Sequence, residues 1–307
     1  MKKILLASTA LVAFAGAAAA EVKIEGTGII SVIGGDGLGA NDAPRFLSSA
    51  DVQFYMSGET DGGLAFGAKI DLDEAGLTAN ANETVWVSGA FGKFTIGDTD
   101  SALDWAIAET TQGANLIDEY TIHAGAFANF LDEKVDNTIA RYEYAMGDFA
   151  FAASLEIDDA DVADPSWALG AKYNMGISGG SVTLAAGYQD TTVAQVETSV
   201  ATVGASVKLD NGLSASASYS QIDNYSGVGL DADQWGIGAQ YVTGALTLGA
   251  SYGEIDSDLN TADVESYALA ASYDLGGGAR VFAGMISEKT GAGPSLEKYQ
   301  AGVALSF

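Results

Sequence analysis

The feature that most restricts the fold is a period of two in hydrophobicity that recurs along almost the whole chain. Successive side chains of a strand point to opposite faces, so alternation of apolar and polar residues marks a sheet with one face of each kind. Segment 22–33 sets Val22, Ile24, Ile30 and Val32 against Lys23, Glu25, Thr27 and Ser31. Segment 213–220 sets Leu213, Ala215, Ala217 and Tyr219 against Ser214, Ser216, Ser218 and Ser220. The final segment sets Tyr299, Ala301, Val303, Leu305 and Phe307 against Lys298, Gln300, Gly302 and Ser306. Sixteen such segments are predicted, over 22–33, 46–57, 64–73, 83–91, 93–97, 138–146, 149–157, 166–175, 181–189, 199–208, 213–220, 234–242, 246–253, 265–273, 279–286 and 297–307. No stretch beyond the first 20 residues is apolar over 18 positions, which leaves no transmembrane helix.

The connections between these segments alternate in kind. Seven are short turns, among them Gly147–Asp148 and Leu209–Gly212, and Asp210-Asn211-Gly212 has the chemistry of a tight hairpin. Eight are longer, centred on 34–45, 74–82, 98–137, 158–165, 190–198, 221–233, 254–264 and 287–296. Alternating short and long connections place every short turn at one end of an antiparallel sheet, with both chain termini at that same end.

Residues 1–20 read as a processing segment. Lys2 and Lys3 form a charged start, Ile4 to Ala15 an apolar stretch, and Ala17 to Ala20 a small-residue cleavage site before Glu21. The apolar stretch is too short to span a membrane as a helix. Export is therefore expected, with 21–307 as one mature domain. With no cysteine, disulfides and thiol chemistry are excluded.

A soluble sandwich also alternates, but two features favour lipid on the apolar side. Seven of the bases inside the predicted strands, Lys23, Lys69, Arg141, Lys172, Lys208, Arg280 and Lys298, all fall on the polar face. A Lys or Arg facing the bilayer midplane would cost about 2–4 kcal/mol. Aromatic residues also recur near strand ends, as in Trp167 with Tyr173, Trp235 with Tyr241, Tyr267 with Tyr273, Phe46 with Phe54 and Tyr299 with Phe307. These pairs lie about 20–26 Å apart along a strand, which suits girdles flanking a ~25 Å apolar band. A sheet in lipid must close, because its edge amides would otherwise lack partners. The expectation is an all-β, 16-stranded antiparallel transmembrane barrel in which the first strand pairs with the last. The net charge of −28 excludes an electrostatic nucleic-acid binder, and the 48% hydrophobic content excludes a disordered acidic chain.

The connection 98–137 is too long to be an idle loop. It carries nine acids and one base, Lys134, interleaved with Leu103, Trp105, Ile107, Leu116, Ile117, Phe127, Phe130 and Leu131. The apolar residues predict that it packs inside the barrel and narrows it. Asp98, Asp100, Asp104, Glu109, Asp118 and Glu119 are then the candidate constriction acids, since carboxylates in a low-dielectric wall favour cations. The other reading of these acids is a solvated external face. The candidate pore-wall residues are Lys23, Asp51, Lys69, Asp71, Arg141, Lys172, Lys208, Arg280 and Lys298. The bases among them have two open readings: they face the eyelet across the pore, or they pair with neighbouring inward acids such as Glu25, Glu143 and Glu156. Arg141 is favoured for the first, because it begins the strand after the loop.

Other chemistry is poorly supported. His123 is the only histidine, Ser101 is the only serine in the same loop, and no G-x-S-x-G elbow occurs, so a hydrolase reading fails. Asp256-Ser-Asp258-Leu-Asn260 starts like a calcium loop but lacks the glycine and the final glutamate that an EF-hand requires. The glycines lack the strand-to-helix context of a phosphate cradle.

Phe54-Tyr-Met-Ser-Gly-Glu-Thr-Asp-Gly-Gly-Leu-Ala-Phe-Gly-Ala68, Val87-Ser-Gly-Ala-Phe-Gly-Lys93 with Gly97-Asp98, and Ala271-Ser-Tyr-Asp-Leu-Gly-Gly-Gly-Ala279 resemble the general diffusion porins of purple non-sulphur and related alphaproteobacteria. The terminal Phe307 resembles an outer-membrane assembly signal. The resemblance spans the mature chain and implies a homotrimer whose third external loop folds inward as the eyelet. It also implies calcium held among loop carboxylates, at residues the sequence does not single out. One departure stands out. Relatives usually cluster Arg and Lys on the wall opposite the eyelet, whereas here that wall offers Ser49, Asp51 and Gln53, then Lys69 followed by Asp71 and Asp73. The expected function is a passive outer-membrane channel for small hydrophilic solutes, with mild cation preference. It would be embedded in lipid and lipopolysaccharide with both termini periplasmic. A solute-specific channel with a saturable eyelet site, and a closed structural barrel, are the alternatives.

Overall fold

A two-faced sheet leaves unpaired amides at its edges unless its first and last strands meet, and here they meet. The computed structural model describes residues 20–38, 42–72, 82–111, 131–132, 135, 138–157, 164–193, 196–225, 229–258 and 263–307. Its strands are β1 (Glu21–Gly35), β2 (Arg45–Glu59), β3 (Ala65–Leu72), β4 (Asn82–Gly89), β5 (Gly92–Gly97), β6 (Ile139–Met146), β7 (Phe149–Glu156) and β8 (Ser166–Ile177). They continue as β9 (Gly180–Val193), β10 (Val196–Leu209), β11 (Leu213–Asp223), β12 (Ala232–Thr243), β13 (Leu246–Ser257), β14 (Val264–Gly276), β15 (Ala279–Thr290) and β16 (Ser295–Ser306). Among the described residues one short helix, α1 (Ala102–Ala106), follows β5. Every strand pairs antiparallel with its sequence neighbours, and β1 closes on β16 from Thr27 opposite Ser306 to Gly35 opposite Lys298. All sixteen expected segments are strands.

The differences lie at the ends away from the short turns. The connection expected over 190–198 is mostly strand, because β9 runs to Val193 and β10 starts at Val196. That over 287–296 shrinks likewise, with β15 running to Thr290 and β16 starting at Ser295. The reason is pairing: Thr191, Thr192 and Val193 face Thr198, Glu197 and Val196 in unbroken register. Polar β-branched residues extend a ladder as well as apolar ones, and alternation of hydrophobicity does not mark where such a ladder stops. At the short-turn end, Gly212 closes the Asp210-Asn211-Gly212 hairpin with φ of 93° and donates its N–H to the Leu209 carbonyl at 3.1 Å. That left-handed conformation is one glycine adopts without strain.

The two faces of the wall differ as the alternation requires. Trp167, Leu169, Trp235, Ile237, Tyr267 and Leu269 are open on the apolar face. Their polar-face neighbours Ala168, Gln234, Ser266 and Ala268 are buried. The apolar face therefore looks outward and the polar face inward. The aromatic row at the long-connection end is tied by its polar tips. Tyr219 donates to Asp233 at 2.7 Å, the Trp235 indole to Glu254 at 3.1 Å, and Tyr188 to Asp190 at 3.4 Å. Ring contacts join Trp167 to Tyr188 and Trp235 to Tyr252. An amphipathic ring anchored to a carboxylate on its own or the neighbouring strand suits a boundary between apolar and wet layers.

The inner face is not uniformly polar. Ala152, Ala168, Val200, Ile222, Ala232 and Ile255 form one buried inward cluster across β7 to β13. A second, on β14 to β16, contains Ala268, Ala270, Phe282, Ile286 and Ala304 with Ile29 of β1 packed against it. The first has a clear partner, the chain that follows β5.

Ile237 sits outward on β12 between Trp235 and Tyr241, about half exposed at 51%. Ile237→Arg is expected to destabilise the barrel in a bilayer by about 2–4 kcal/mol, read from urea titrations of folding into lipid vesicles. Gln240→Arg, on the inward face of the same strand, should cost well under half as much.

Candidate functional site

The segment after β5 is positioned by its backbone before any side chain acts. Asp98 donates its N–H to the Glu83 carbonyl at 2.9 Å, and its carbonyl accepts from the Thr84 hydroxyl at 2.9 Å. Ser101 then caps α1, its Oγ accepting from the Asp104 N–H at 3.2 Å. The helix is short because Ile107 is already extended, with its N–H bonded to the Leu103 and Asp104 carbonyls.

From there the chain crosses the inner wall as a strap. Its route is marked by residues without side chains. A Cβ on Gly170 (β8) would lie 1.9 Å from the Ala102 carbonyl oxygen. One on Gly187 (β9) would lie 2.6 Å from Leu103 Cδ1, and one on Gly204 (β10) 3.5 Å from Ile107. On β11 the Ser216 hydroxyl donates to the Glu109 carbonyl at 2.7 Å. On β12 a Cβ at Gly238 would lie 1.6 Å from the Thr110 carbonyl oxygen. Residues 102–110 thus lie flat across five consecutive strands. Leu103, Ile107 and Leu131 fill the inward apolar cluster, and burying each such side chain contributes about 1.5–3 kcal/mol.

Polar clamps hold the outgoing and returning limbs together. Gln189 of β9, 2% exposed, is the hub. Its Oε1 accepts from the Leu131 N–H at 3.1 Å and the Ser101 hydroxyl at 3.4 Å, while Nε2 donates to Asp132 at 2.8 Å. Asp132 also accepts from the Ser101 N–H at 2.7 Å. Ser154 accepts from the Ala102 N–H at 2.9 Å, and Glu156 from the Val135 N–H at 3.2 Å. With its hydroxyl engaged in capping and clamping, Ser101 has a structural task and no nucleophilic one.

The charges around the strap sort into paired and crowded groups. Arg141 is buried and held by Glu143, with Nε–Oε1 and Nη2–Oε1 both 3.1 Å. It also donates to the Asp100 carbonyl and lies 3.7 Å from the Asp100 carboxylate. Lys93 reaches Glu143 at 3.9 Å. Lys172 rests its ammonium over the Trp105 ring, 4.0 Å from the centroid, a cation–π contact. Burial pushes the Asp104 carboxyl up to about 8, and the negative charges of Asp100, Asp132 and Glu109 add to the shift against the opposing pull of Arg141.

Part of the wall away from the strap is self-compensated. Asp71 accepts from Lys69 at 3.0 Å and from Gln53 at 2.7 Å, and Tyr55 donates to Gln53. Asp51 accepts from Thr27 at 3.1 Å. Lys23 pairs with Glu25 near the short-turn end. Lys208 and Arg280 lie beside short turns, and Lys298 lies towards the other end, opposite Gly35.

Among the candidate constriction acids, Asp100, Asp104 and Glu109 therefore share the strap. Asp98 is tied back onto β4, and Asp118 and Glu119 lie outside the described residues, as does His123. Arg141 touches the strap through Asp100, whereas Lys23, Lys208, Arg280 and Lys298 stand apart from it. Among the described residues no three ligating side chains converge on one point as a metal site would require. The reading of the sequence missed Lys93, which alternation from Thr95 places inward, and it gave Asp132 no role. It also missed Gln189, a lone strand glutamine that carries no local signal.

Comparison with known proteins fits this geometry. The family model described as Gram-negative porin matches residues 7–291. A porin of Rhodobacter capsulatus is 30% identical over 296 residues, covering 86% of this chain and 93% of its own. A porin structure refined at 1.8 Å superposes with a TM-score of 0.73 at 26% identity, covering 94% of this chain and all of that one. An anion-selective porin from Comamonas acidovorans shares the fold with a TM-score of 0.68 at 15% identity, over 94% of this chain and all of its own.

The strap's close approach yields a paired test. Gly238→Ala must displace Thr110 or β12 and is expected to destabilise by about 1–3 kcal/mol. Gly204→Ala meets only an ordinary contact and should be neutral or stabilise by up to about 1 kcal/mol. Thermal unfolding of both variants in detergent checks the difference.

Proposed function

Since the chain belongs to the Gram-negative porin family, and so forms a passive outer-membrane channel, we propose that it admits small hydrophilic solutes and ions, with a mild preference for cations. The single observation that carries the preference is the imbalance along the strap. Asp100, Glu109 and Asp132 crowd around the protonated Asp104 while Arg141 is already matched by Glu143. In this reading the loop 98–137 is the constriction, Asp118 and Glu119 add to its charge, and carboxylates facing a narrow aqueous path raise the local cation concentration. Conduction needs no chemistry and no cofactor, and calcium among the loop carboxylates is an accessory at most.

The assembly reading is a homotrimer. It is supported by the wall itself: β5 has six residues, and β6 and β7 have eight each, whereas a tilted strand needs about 9–11 to cross lipid. A low stretch of wall is tolerated where a neighbouring copy covers it. Lipid and lipopolysaccharide would meet the taller outward strands, and both termini would be periplasmic with the short turns. A saturable, solute-specific eyelet and a closed barrel remain the rival functions. Current that rises linearly with solute would count against the first, and conductance steps against the second.

Reversal potential in a salt gradient across a planar bilayer tests the proposal. Joint neutralisation of Asp100, Asp104, Glu109, Asp118 and Glu119 to Asn or Gln should move it to the value of a non-selective pore; an unchanged value rejects them as the filter. The wild-type preference should fade toward 1 M salt, where the Debye length is ~3 Å.

The proton on Asp104 gives a separate signature. Its carboxyl is neutral below about 8 and charged above, so raising the pH adds one negative charge to the strap. Cation preference should step upward between pH 7 and 9. Asp104→Asn should abolish that step and leave the pH 7 value nearly unchanged.

A further inference from the structure

Beside the strap, toward the short-turn end, the inner wall carries a recess of about 400 Å³, within the size range of small-molecule clefts. Its floor is a straight row across four strands. Ser181 of β9 faces Lys208 of β10, Lys208 faces Ser214 of β11, and Ser214 faces Gln240 of β12. Thr183 and Ser206, directly opposite each other one step nearer the strap, complete it. Ser206 in turn faces Ser216, which holds the Glu109 carbonyl, so the strap forms the upper border.

The lining chemistry is unusual for this chain. Against 41 acids and 13 bases overall, the recess presents four hydroxyls, one carboxamide and one ammonium, and no carboxylate. Among the described residues Lys208 has no carboxylate within 4 Å, in contrast to Lys23, Lys69, Lys93 and Arg141. Neighbouring strands are about 4.8 Å apart, so the row offers polar groups over about 14 Å. Hydroxyls and a carboxamide both donate and accept, which matches the hydroxyls of a sugar; an ammonium only donates and attracts an oxyanion.

We propose that this recess is a weak binding site for anionic polyhydroxy solutes, of which a sugar phosphate is the fitting type, on the side of the strap toward the short turns. Lys208 takes the oxyanion, and Ser181, Thr183, Ser206, Ser214 and Gln240 take the hydroxylated body. The site compensates, past the negative strap, for the repulsion that such a solute meets there. It rests on the reading of the lumen as an open channel, and two measurements separate the failure of each.

Single channels are first recorded in KCl, and glucose 6-phosphate is then added on the short-turn side. The expected result is a saturating fall in ion current, with glucose and inorganic phosphate each markedly weaker. Gluconate matching glucose 6-phosphate would identify the oxyanion as interchangeable, as the shared chemistry predicts. Lys208→Gln should raise the half-blocking concentration about tenfold, the loss of one charge-assisted hydrogen bond, and Ser206→Ala with Ser214→Ala should raise it further. Conductance steps with a flat titration would overturn the recess and leave the channel standing. Inorganic phosphate acting as strongly as glucose 6-phosphate would overturn the polyol assignment. If no steps appear, the channel reading fails, and equilibrium dialysis of labelled glucose 6-phosphate against the detergent-solubilised protein decides the recess: binding lost in Lys208→Gln upholds it, and equal binding by both overturns it.

Discussion

Everything in this molecule depends on the cost of an unpaired backbone amide in hydrocarbon. Each such group costs several kcal/mol, and a sheet has a row of them at either edge. Closure of β1 on β16 removes both rows at once. Closure then fixes the rest. It creates an inside and an outside, turns period-two alternation into a division between lipid and water, and commits every inward base to the lumen. It also leaves an interior too wide to be filled by wall side chains alone, and residues 102–110 lie against its inner wall.

How that connection enters is a packing problem solved from both sides. The strap brings Leu103, Ile107 and Leu131, and the wall answers with inward apolar residues on strands that are otherwise polar inside. The strap's backbone comes so near that Gly170, Gly187 and Gly238 have no room for a Cβ. At Gly170 and Gly238 a carbonyl of the strap faces the glycine, an approach of backbone to backbone, and at Gly187 the Leu103 side chain takes the space; a close-packed interior transmits any added atom as strain. Gln189 performs the complementary task, offering donor and acceptor together to Ser101, Leu131 and Asp132.

The barrel was legible because strand patterning is local. Val22, Lys23, Ile24 and Glu25 declare two faces within four residues, and the number of segments followed from counting. The seat of the strap was not legible, because Val200, Ile222 and Ile255 are inward exceptions whose partners lie a hundred residues away. Read locally, they only blur the alternation. The hold on the Asp98 backbone was not legible for a similar reason: membership of an acidic run says nothing of the Glu83 carbonyl that takes its N–H. The extension of β9 and β10 through Thr191 and Thr198 escaped because a polar ladder carries no hydrophobic period.

The charges complete the logic. Lumenal bases could oppose the strap across the bore, but four of them are spoken for: Lys69 by Asp71, Lys23 by Glu25, Lys93 by Glu143, and Arg141 by Glu143 and Asp100. A paired base contributes a dipole that fades quickly with distance, whereas a crowd of carboxylates contributes a field that a low-dielectric wall focuses. The same crowding limits itself, since Asp104 holds its proton to about 8 in answer to burial and to the charge of Asp100, Asp132 and Glu109. Crowding and burial thus limit the charge of the strap, which at neutral pH is less than the sum of its carboxyl groups.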